Sequence, residues 1–514
     1  MQTLNEDVKR QPLPSAAGEP AIKRLRWYDY ITINIFWLGL NIRNTAIGSY
    51  FMPYMVGLFV PEAIKNTALG ALRSAGLVIA MLVQPAAGLV SDRSLSRFGR
   101  RRPYILIGAI FDCVFLAAIA LSWNYAALLV SILLIQFSSN ISHGPLQGLI
   151  PDLVPEDERG RASAVKSVME LLPIILVGLT IAKLVGAGQL DWAIFATGAC
   201  LLVVTLITLL FVKETPLKER PEVPFWPPML RVLGMLAGIL IGAVAGVIGG
   251  ALVGGLAGLV TGWISGTPLT LAVQGKYTLS QAVAIGVAGG VMMIIAVVAG
   301  VWAGSLATLG QDARRRASFT WWIANRLMFL AAATSLQGSI FYFVMYAFNI
   351  SDKAASDLTG TLTAVIGILI VLTALGSGWV ADRVGRKPLV AWSGWIAAVG
   401  NVALLSTIWL PNLVVLYIAG AIIGLATGLF MTANWALGTD LVPNAEAGRY
   451  LGISNLAGAG SGIVGAGIGG VIADQLNLYK PGLGYFAVFA SYAVLFGLSS
   501  LTLLGVKKEN PTPN

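Results

Sequence analysis

Apolar runs of about twenty residues or more alternate with short polar segments along nearly the whole chain. One set lies near 28–56, 66–90, 103–122, 125–150, 162–186 and 192–212. A second lies near 319–348, 358–381, 388–410, 413–439, 448–473 and 482–506. At 1.5 Å per residue, a helical run of this kind crosses a hydrocarbon layer about 30 Å thick. The runs lack the ten-residue alternation of a membrane β-barrel. The pattern predicts an all-α polytopic membrane protein.

Between the sets, residues 231–264 and 281–309 are also apolar and rich in glycine. Gly234, Gly238, Gly242, Gly246, Gly250, Gly254, Gly258 and Gly262 recur at every fourth position. That spacing strips one helix face of side chains and lets another backbone approach closely. A polar stretch, 265–280, separates the two runs, so the reading is an added transmembrane hairpin and about fourteen spans. It can fill the connection by packing on itself or lipid, or serve partner or self-association; a direct substrate role is the weakest option.

The polar segments carry a repeat. GLVSDRSLSRFGRRRPYIL (88–106) follows the second run, and GWVADRVGRKPLV (378–390) follows the eighth. DLVPEDERGR (152–161) follows the fourth, and DLVPNAEAGR (440–449) the tenth. Asp92 and Asp382 are 290 residues apart, Asp152 and Asp440 288. Two motifs at nearly one offset imply duplicated six-helix halves. The expected organisation is a tail 1–26, a half 27–212, a linker with hairpin 213–317, a half 318–506 and a tail 507–514.

Composition agrees. Hydrophobic residues make up 56% of the chain and charged residues 11%, against about 25% charged in soluble domains; mean hydropathy is +0.78. The net charge of +10 does not point to nucleic acid, because the basic residues cluster in loops at 23–26, 93–102, 159–166, 213–231, 314–316 and 383–387, with Arg449 and 507–508. If each run spans, these fall on one face, which predicts cytoplasmic termini in a plasma membrane. No cleavable signal precedes the first run, so it is expected to be retained. Cys113 and Cys200 lie inside apolar runs and suggest no disulfide framework.

Two six-helix repeats, each with a GxxxDR…GR(R/K) loop after its second helix, resemble the major facilitator superfamily. The segments VQPAAGLVSDRSLSRFGRRRPYI (83–105) and GPLQGLIPDL (144–153) resemble the sucrose-carrier group related to the glycoside–pentoside–hexuronide:cation symporters. The resemblance implies a central cavity lined by the first, fourth, seventh and tenth helices, and a peripheral third helix. One departure stands out: plant sucrose carriers have Arg where this chain has Gln147. The second span also lacks the mid-helix Asp pair of a melibiose-type sodium site.

Polar side chains inside spans identify candidates, because they are costly against lipid. On the fourth helix Gln136, Asn140, His143 and Gln147 share a face by their spacing of 4, 3 and 4. The first helix offers a stripe of Asn34, Trp37, Asn41 and Asn44, with Arg43 beside it. The seventh offers Asn325, Arg326, Gln337 and Tyr342, the tenth Asn434 and Trp435. Amides, Tyr and Trp suit a hydroxyl-rich ligand, and each also suits ordinary interhelical bonding. Asn41, Arg43, Asn44, Asn140, His143, Gln147, Gln337, Tyr342, Asn434 and Trp435 are the expected substrate contacts. Coupling requires a group that changes charge within the membrane. Glu170 is the first choice, with Arg43 as its counter-charge, and Asp112 the second. Expected gating residues are Asp92, Arg93, Arg100 and Arg101, Asp152 with Arg159 or Arg161, Asp382, Arg383 and Arg386, and Asp440 with Arg449. Their ion pairs can form in one state and break in the other.

The sequence offers no Walker A pattern, metal-ligand cluster or nucleophile constellation. The expected function is therefore not enzymatic: a secondary active transporter of a sugar or glycoside, with a proton as coupling ion, no other cofactor and membrane lipids as neighbours. A proton-coupled exporter of amphipathic compounds is the alternative, as is an assembly protein that retains a carrier fold.

Overall fold

The computed structural model describes residues 25–214, 216–217, 219, 225–267, 269, 277–442, 454 and 460–507. The elements there are helices: α1 Trp27–Ala46, α2 Met52–Phe59, α3 Lys65–Ser91, α4 Arg102–Ala120, α5 Tyr125–Leu146, α6 Leu149–Leu153, α7 Arg159–Leu179, α8 Ile181–Gly186, α9 Leu190–Phe211, α10 Trp226–Ser265, α11 Leu279–Leu309, α12 Asp312–Arg315, α13 Ala317–Phe348, α14 Asp352–Val384, α15 Arg386–Ser406, α16 Leu413–Asp440, α17 Gly469–Tyr479 and α18 Leu483–Thr502. Twelve described helical stretches are long and apolar enough to cross a membrane, α10 and α11 among them. The chain is an integral membrane protein. Arg449 and the start of the run expected at 448–473 lie outside the described residues.

Helix α1 continues into α2 through a π turn, Ile47–Phe51. Pro53 follows it and cannot donate an N–H, and its ring crowds the carbonyl four residues back, which favours widening at this point. A second π turn, Ile463–Ile468, precedes α17 in the run IVGAGI.

Helices α1–α9 pack into one bundle and α13–α18 into another. Between them in sequence, α10 and α11 form an antiparallel pair. The predicted glycine face of α10 is filled by α11: a Cβ at Gly254 would meet the Ala284 carbonyl at 2.5 Å, and one at Gly250 the Ala288 carbonyl at 2.5 Å. The other face of α10 exposes Leu240, Val244, Leu252, Leu256 and Trp263. Helix α11 also packs on α13, α17 and α18.

The bonds that tie the two bundles lie at the end away from the basic loops. Asp474 accepts from the Asn66 amide side chain and the Thr67 backbone N–H, both at 2.7 Å. Ser356 donates to the Ala182 carbonyl at 2.8 Å, and Lys183 pairs with Asp357 at 3.4 Å. Gly178 and Gly360 bring α7 and α14 into backbone contact: a Cβ on Gly178 would lie 2.5 Å from the Gly360 carbonyl. Gly360 sits about 36 Å along α14 from the basic loop after Val384, at 1.5 Å per residue.

Candidate central cavity

A cavity of about 290 Å³ lies where the bundles meet. Arg43, Asn44, Gly48, Arg73, Gln136 and Gln337 line it, and both π turns border it. A π turn misaligns backbone carbonyls from their usual helical donors, and here the Gly48 carbonyl accepts a bond from the Arg73 guanidinium. A second chamber of about 190 Å³, mostly apolar, shares Thr334 and Gln337 with the first.

Arg43 is 1% exposed, and its partner is Asp112 at 3.6 Å, which is itself wholly buried. Arg43 also donates to Ser139, and Ser138 to Asp112, so the pair joins α1, α4 and α5. This corrects the expected pairing of Arg43 with Glu170. Glu170 faces its own helix instead and pairs with Lys166 at 3.3 Å, both partly exposed. Side chains four apart on a helix are neighbours, and Lys166 satisfies Glu170 without Arg43. Asp112 is on the buried side of a helix whose other face exposes Leu106, Ile110, Phe111 and Val114.

The other candidates divide. Asn44 lines the cavity and is exposed. Asn41 and Asn140 donate to carbonyls one turn back, Trp37 at 2.9 Å and Gln136 at 2.7 Å. Tyr342 does not line the cavity: buried, it donates to the Pro53 carbonyl at 2.6 Å beneath the Lys65 ammonium, tying α13 to α2. Nearer the basic loops, His143 meets Trp37 edge-on at 5.2 Å, and Lys166 lies 4.2 Å from the centre of the same indole. Asn434 bridges Asn325 and Arg326, at 2.7 and 3.1 Å, and Arg326 lies over Trp435 at 5.1 Å. Gln147 is exposed. Arg73 was missed, although a cation inside the apolar run 66–90 is the same signal that singled out Arg43.

The expected gating residues join helices of one bundle rather than two. Arg101 reaches both Asp92, at 3.0 Å, and Asp152, and Arg100 also holds Asp152. Gly148 leaves room for the Arg101 guanidinium. Past α9, Glu214 accepts the Arg101 backbone N–H at 2.8 Å, and burial pushes its carboxyl above the ordinary range. Asp152 therefore takes Arg100 and Arg101 in place of the expected Arg161, which is exposed. In the second bundle Arg386 holds Asp440 and the Ala436 carbonyl, the latter at 3.1 Å. Asp382 is exposed, Arg383 stacks on Trp379 at 3.6 Å, and Arg93 lies 5.5 Å from the Phe225 ring.

Two helical bundles closed at one end over a polar central cavity define a membrane carrier architecture. The family model described as Major Facilitator Superfamily matches residues 44–323 and 323–514, and the chain belongs to that family, a transporter family rather than an enzyme class. It is 28% identical over 213 residues to sucrose transport protein SUT1 of Oryza sativa subsp. japonica, covering 34% of this chain and 39% of that protein. It is 26% identical over 208 residues to the general alpha-glucoside permease of Schizosaccharomyces pombe, covering 36% and 37%. The chain thus spans about two-fifths of the length of these curated relatives. A crystal structure of the peptide transporter POT superposes with a TM-score of 0.62 at 15% identity, covering 94% of this chain and 96% of that one, a likeness of fold alone.

Proposed function

We propose that this protein is a secondary active transporter that takes up a sugar or glycoside by alternating access, coupled to a proton. The observation that carries this reading is the central cavity, where amides and guanidinium groups from both bundles converge: Asn44, Gln136 and Gln337 with Arg43 and Arg73. Such groups match a hydroxyl-rich ligand. The sugar names of the curated relatives support the same class. Ties between the bundles at the end away from the basic loops fit a state open toward those loops, which the positive-inside rule assigns to the cytoplasm together with both termini. In this reading the plasma membrane is crossed fourteen times: by the twelve long apolar helices, by the bent path Trp27–Phe59, and by the segment ending in α17. The halves 27–212 and 318–506 then rock about the cavity.

In this proposal Asp112 replaces Glu170 as the coupling group. A buried carboxylate depends on its counter-charge, and Arg43 both holds Asp112 and borders the cavity. If a ligand draws Arg43 away, Asp112 is left to be neutralised by a proton. Arg101 with Asp92 and Asp152, and Arg386 with Asp440, brace the cytoplasmic ends of their own halves.

The test is uptake into proteoliposomes across a panel of sugars under an imposed pH gradient. Sugar-dependent counterflow is expected. Its absence, with amphipathic dyes moved instead, would overturn the sugar reading. Asp112→Asn should abolish accumulation while sparing exchange, and Glu170→Gln should leave accumulation intact; the reverse pattern returns coupling to Glu170.

A further inference from the structure

Beside the second bundle, α11 leaves a groove of about 470 Å³ against α17 and α18. One wall runs from Leu279 to Ile294 on α11, the other from Leu483 to Val494 on α18, about 16 Å at 1.5 Å per residue. The gap is built, not a loose fit: next to it Gly289 of α11 seats Ile472 of α17, where a Cβ would collide. The one polar side chain in the lining is Ser491, and its hydroxyl donates to the Ala487 carbonyl at 2.8 Å. The lining thus offers water none of the two to four polar partners it needs, and an apolar space of this kind takes hydrocarbon. Spread over its length, the volume is a slot roughly 5 Å across. A helix, about 10–12 Å in diameter with its side chains, cannot sink into it, whereas one extended hydrocarbon chain can. The length also matches one leaflet, half of a hydrocarbon layer about 30 Å thick.

The mouth of the groove lies at the end away from the basic loops, and it is polar. Lys480 stands in the turn between Leu476 and Leu483, both of which line the groove. It is exposed and has no carboxylate partner among the described residues. The Asn477 side-chain oxygen fixes this turn by accepting from the Gly482 and Gly484 N–H groups, both at 3.0 Å. At the same end the Tyr277 hydroxyl donates to the Gln475 side chain, and Trp409 packs on Phe486 of the groove at 5.4 Å. Tyr and Trp gather where hydrocarbon meets headgroups, and a lysine there attracts lipid phosphate. We propose that this groove is a lipid site. It takes one acyl chain of a phospholipid from the leaflet opposite the basic loops, with the lipid phosphate on Lys480. The chain completes the packing between α11 and the second bundle, so the bound lipid fastens the hairpin to the carrier.

The probes are palmitoyl-oleoyl phosphatidylglycerol and palmitoyl-oleoyl glycerol, which share their chains and differ in the phosphate headgroup. Each is added to the delipidated full-length protein in detergent, and bound lipid is counted by native mass spectrometry. The wild-type protein should hold one phosphatidylglycerol per chain, about fivefold more tightly than the diacylglycerol, the scale of one lysine at an anionic surface. Its unfolding temperature should rise with that lipid. Lys480→Gln, at an exposed position, should erase the difference between the two lipids. Gly286→Leu puts a side chain into the groove, where a Cβ meets Leu476 at an ordinary 3.5 Å. It should weaken binding of both lipids at least roughly tenfold, the scale of two methylenes shut out. The comparison of wild type with Lys480→Gln stands even if Gly286→Leu fails to fold. No lipid on the wild type, or binding unchanged by Gly286→Leu, would overturn the site. Equal affinity of the wild type for both lipids would overturn the place of the phosphate on Lys480. A wild-type dimer that Gly286→Leu separates would put a second copy of the chain in the groove and overturn the lipid.

Discussion

Arg43 and Asp112 face one another at 3.6 Å with neither side chain open to solvent, one on the first membrane helix and one on the third. Removing one member of such a pair leaves the other charged in a medium that cannot solvate it. The cost is about 3–5 kcal/mol, whereas replacing both can be close to neutral. Arg43→Gln and Asp112→Asn should each lower the unfolding temperature in detergent, and the double variant should recover much of that loss. Equal or additive losses would show that the two charges do not stabilise each other.

The closed end can be tested at Gly178 and Gly360, where the backbones of α7 and α14 touch. Overpacking a close contact costs about 1–3 kcal/mol, enough to shift a two-state balance roughly 5- to 150-fold. Gly178→Leu should therefore open this end. Spin labels at Ala187 and Ser351, both exposed there, should move apart in electron–electron resonance measurements, in a background without Cys113 and Cys200. Counterflow should fall at least tenfold, if about 1.4 kcal/mol is applied to the closed state. An unchanged distance distribution would mean that the contact does not hold the end shut.

Glu214 provides a pH dependence outside the membrane. Burial raises its carboxyl above the ordinary value of 4.5, against the opposing bond from the Arg101 backbone N–H. A carboxyl raised on folding adds stability below its unfolded value and loses that contribution as pH climbs through the folded one. The stability of the native protein relative to Glu214→Gln should therefore fall as pH rises from about 4.5 toward neutrality. Thermal unfolding of both proteins across that range measures it; a gap that widened upward would mean that the Arg101 bond outweighs burial.

The architecture was readable because charge between apolar runs has few physical explanations, and its recurrence near one offset had fewer still. Which charges would meet was not readable. Asp112 and Glu170 are both carboxylates within runs, and only the crossing of α1, α4 and α5 brings Arg43 to the first. Glu170 is answered locally, one turn from Lys166. The echo also hid a difference, since Asp92 meets Arg101 while Asp382 stays exposed. A linear motif preserves spacing, and a pairing depends on what the neighbouring helix presents. Tyr342 looked like a sugar contact by residue type, yet its hydroxyl is spent on the Pro53 carbonyl.

The glycine periodicity of α10 turns out to serve the hairpin itself. Its small face lies against α11, so the face left for lipid or a partner is the bulky one carrying Leu252, Leu256 and Trp263. Helix α11, in contrast, also packs on the second bundle. Gly254→Leu should thus force α10 from α11, at about 1–3 kcal/mol, without touching the cavity. Proteolysis near residues 265–280 should accelerate while counterflow stays near native. Removing 231–309 altogether is the harsher comparison, because it strips α11 from α13, α17 and α18; stability should fall further than in the point variant. If Gly254→Leu alone abolished counterflow, the hairpin would have to move with the carrier rather than stand beside it.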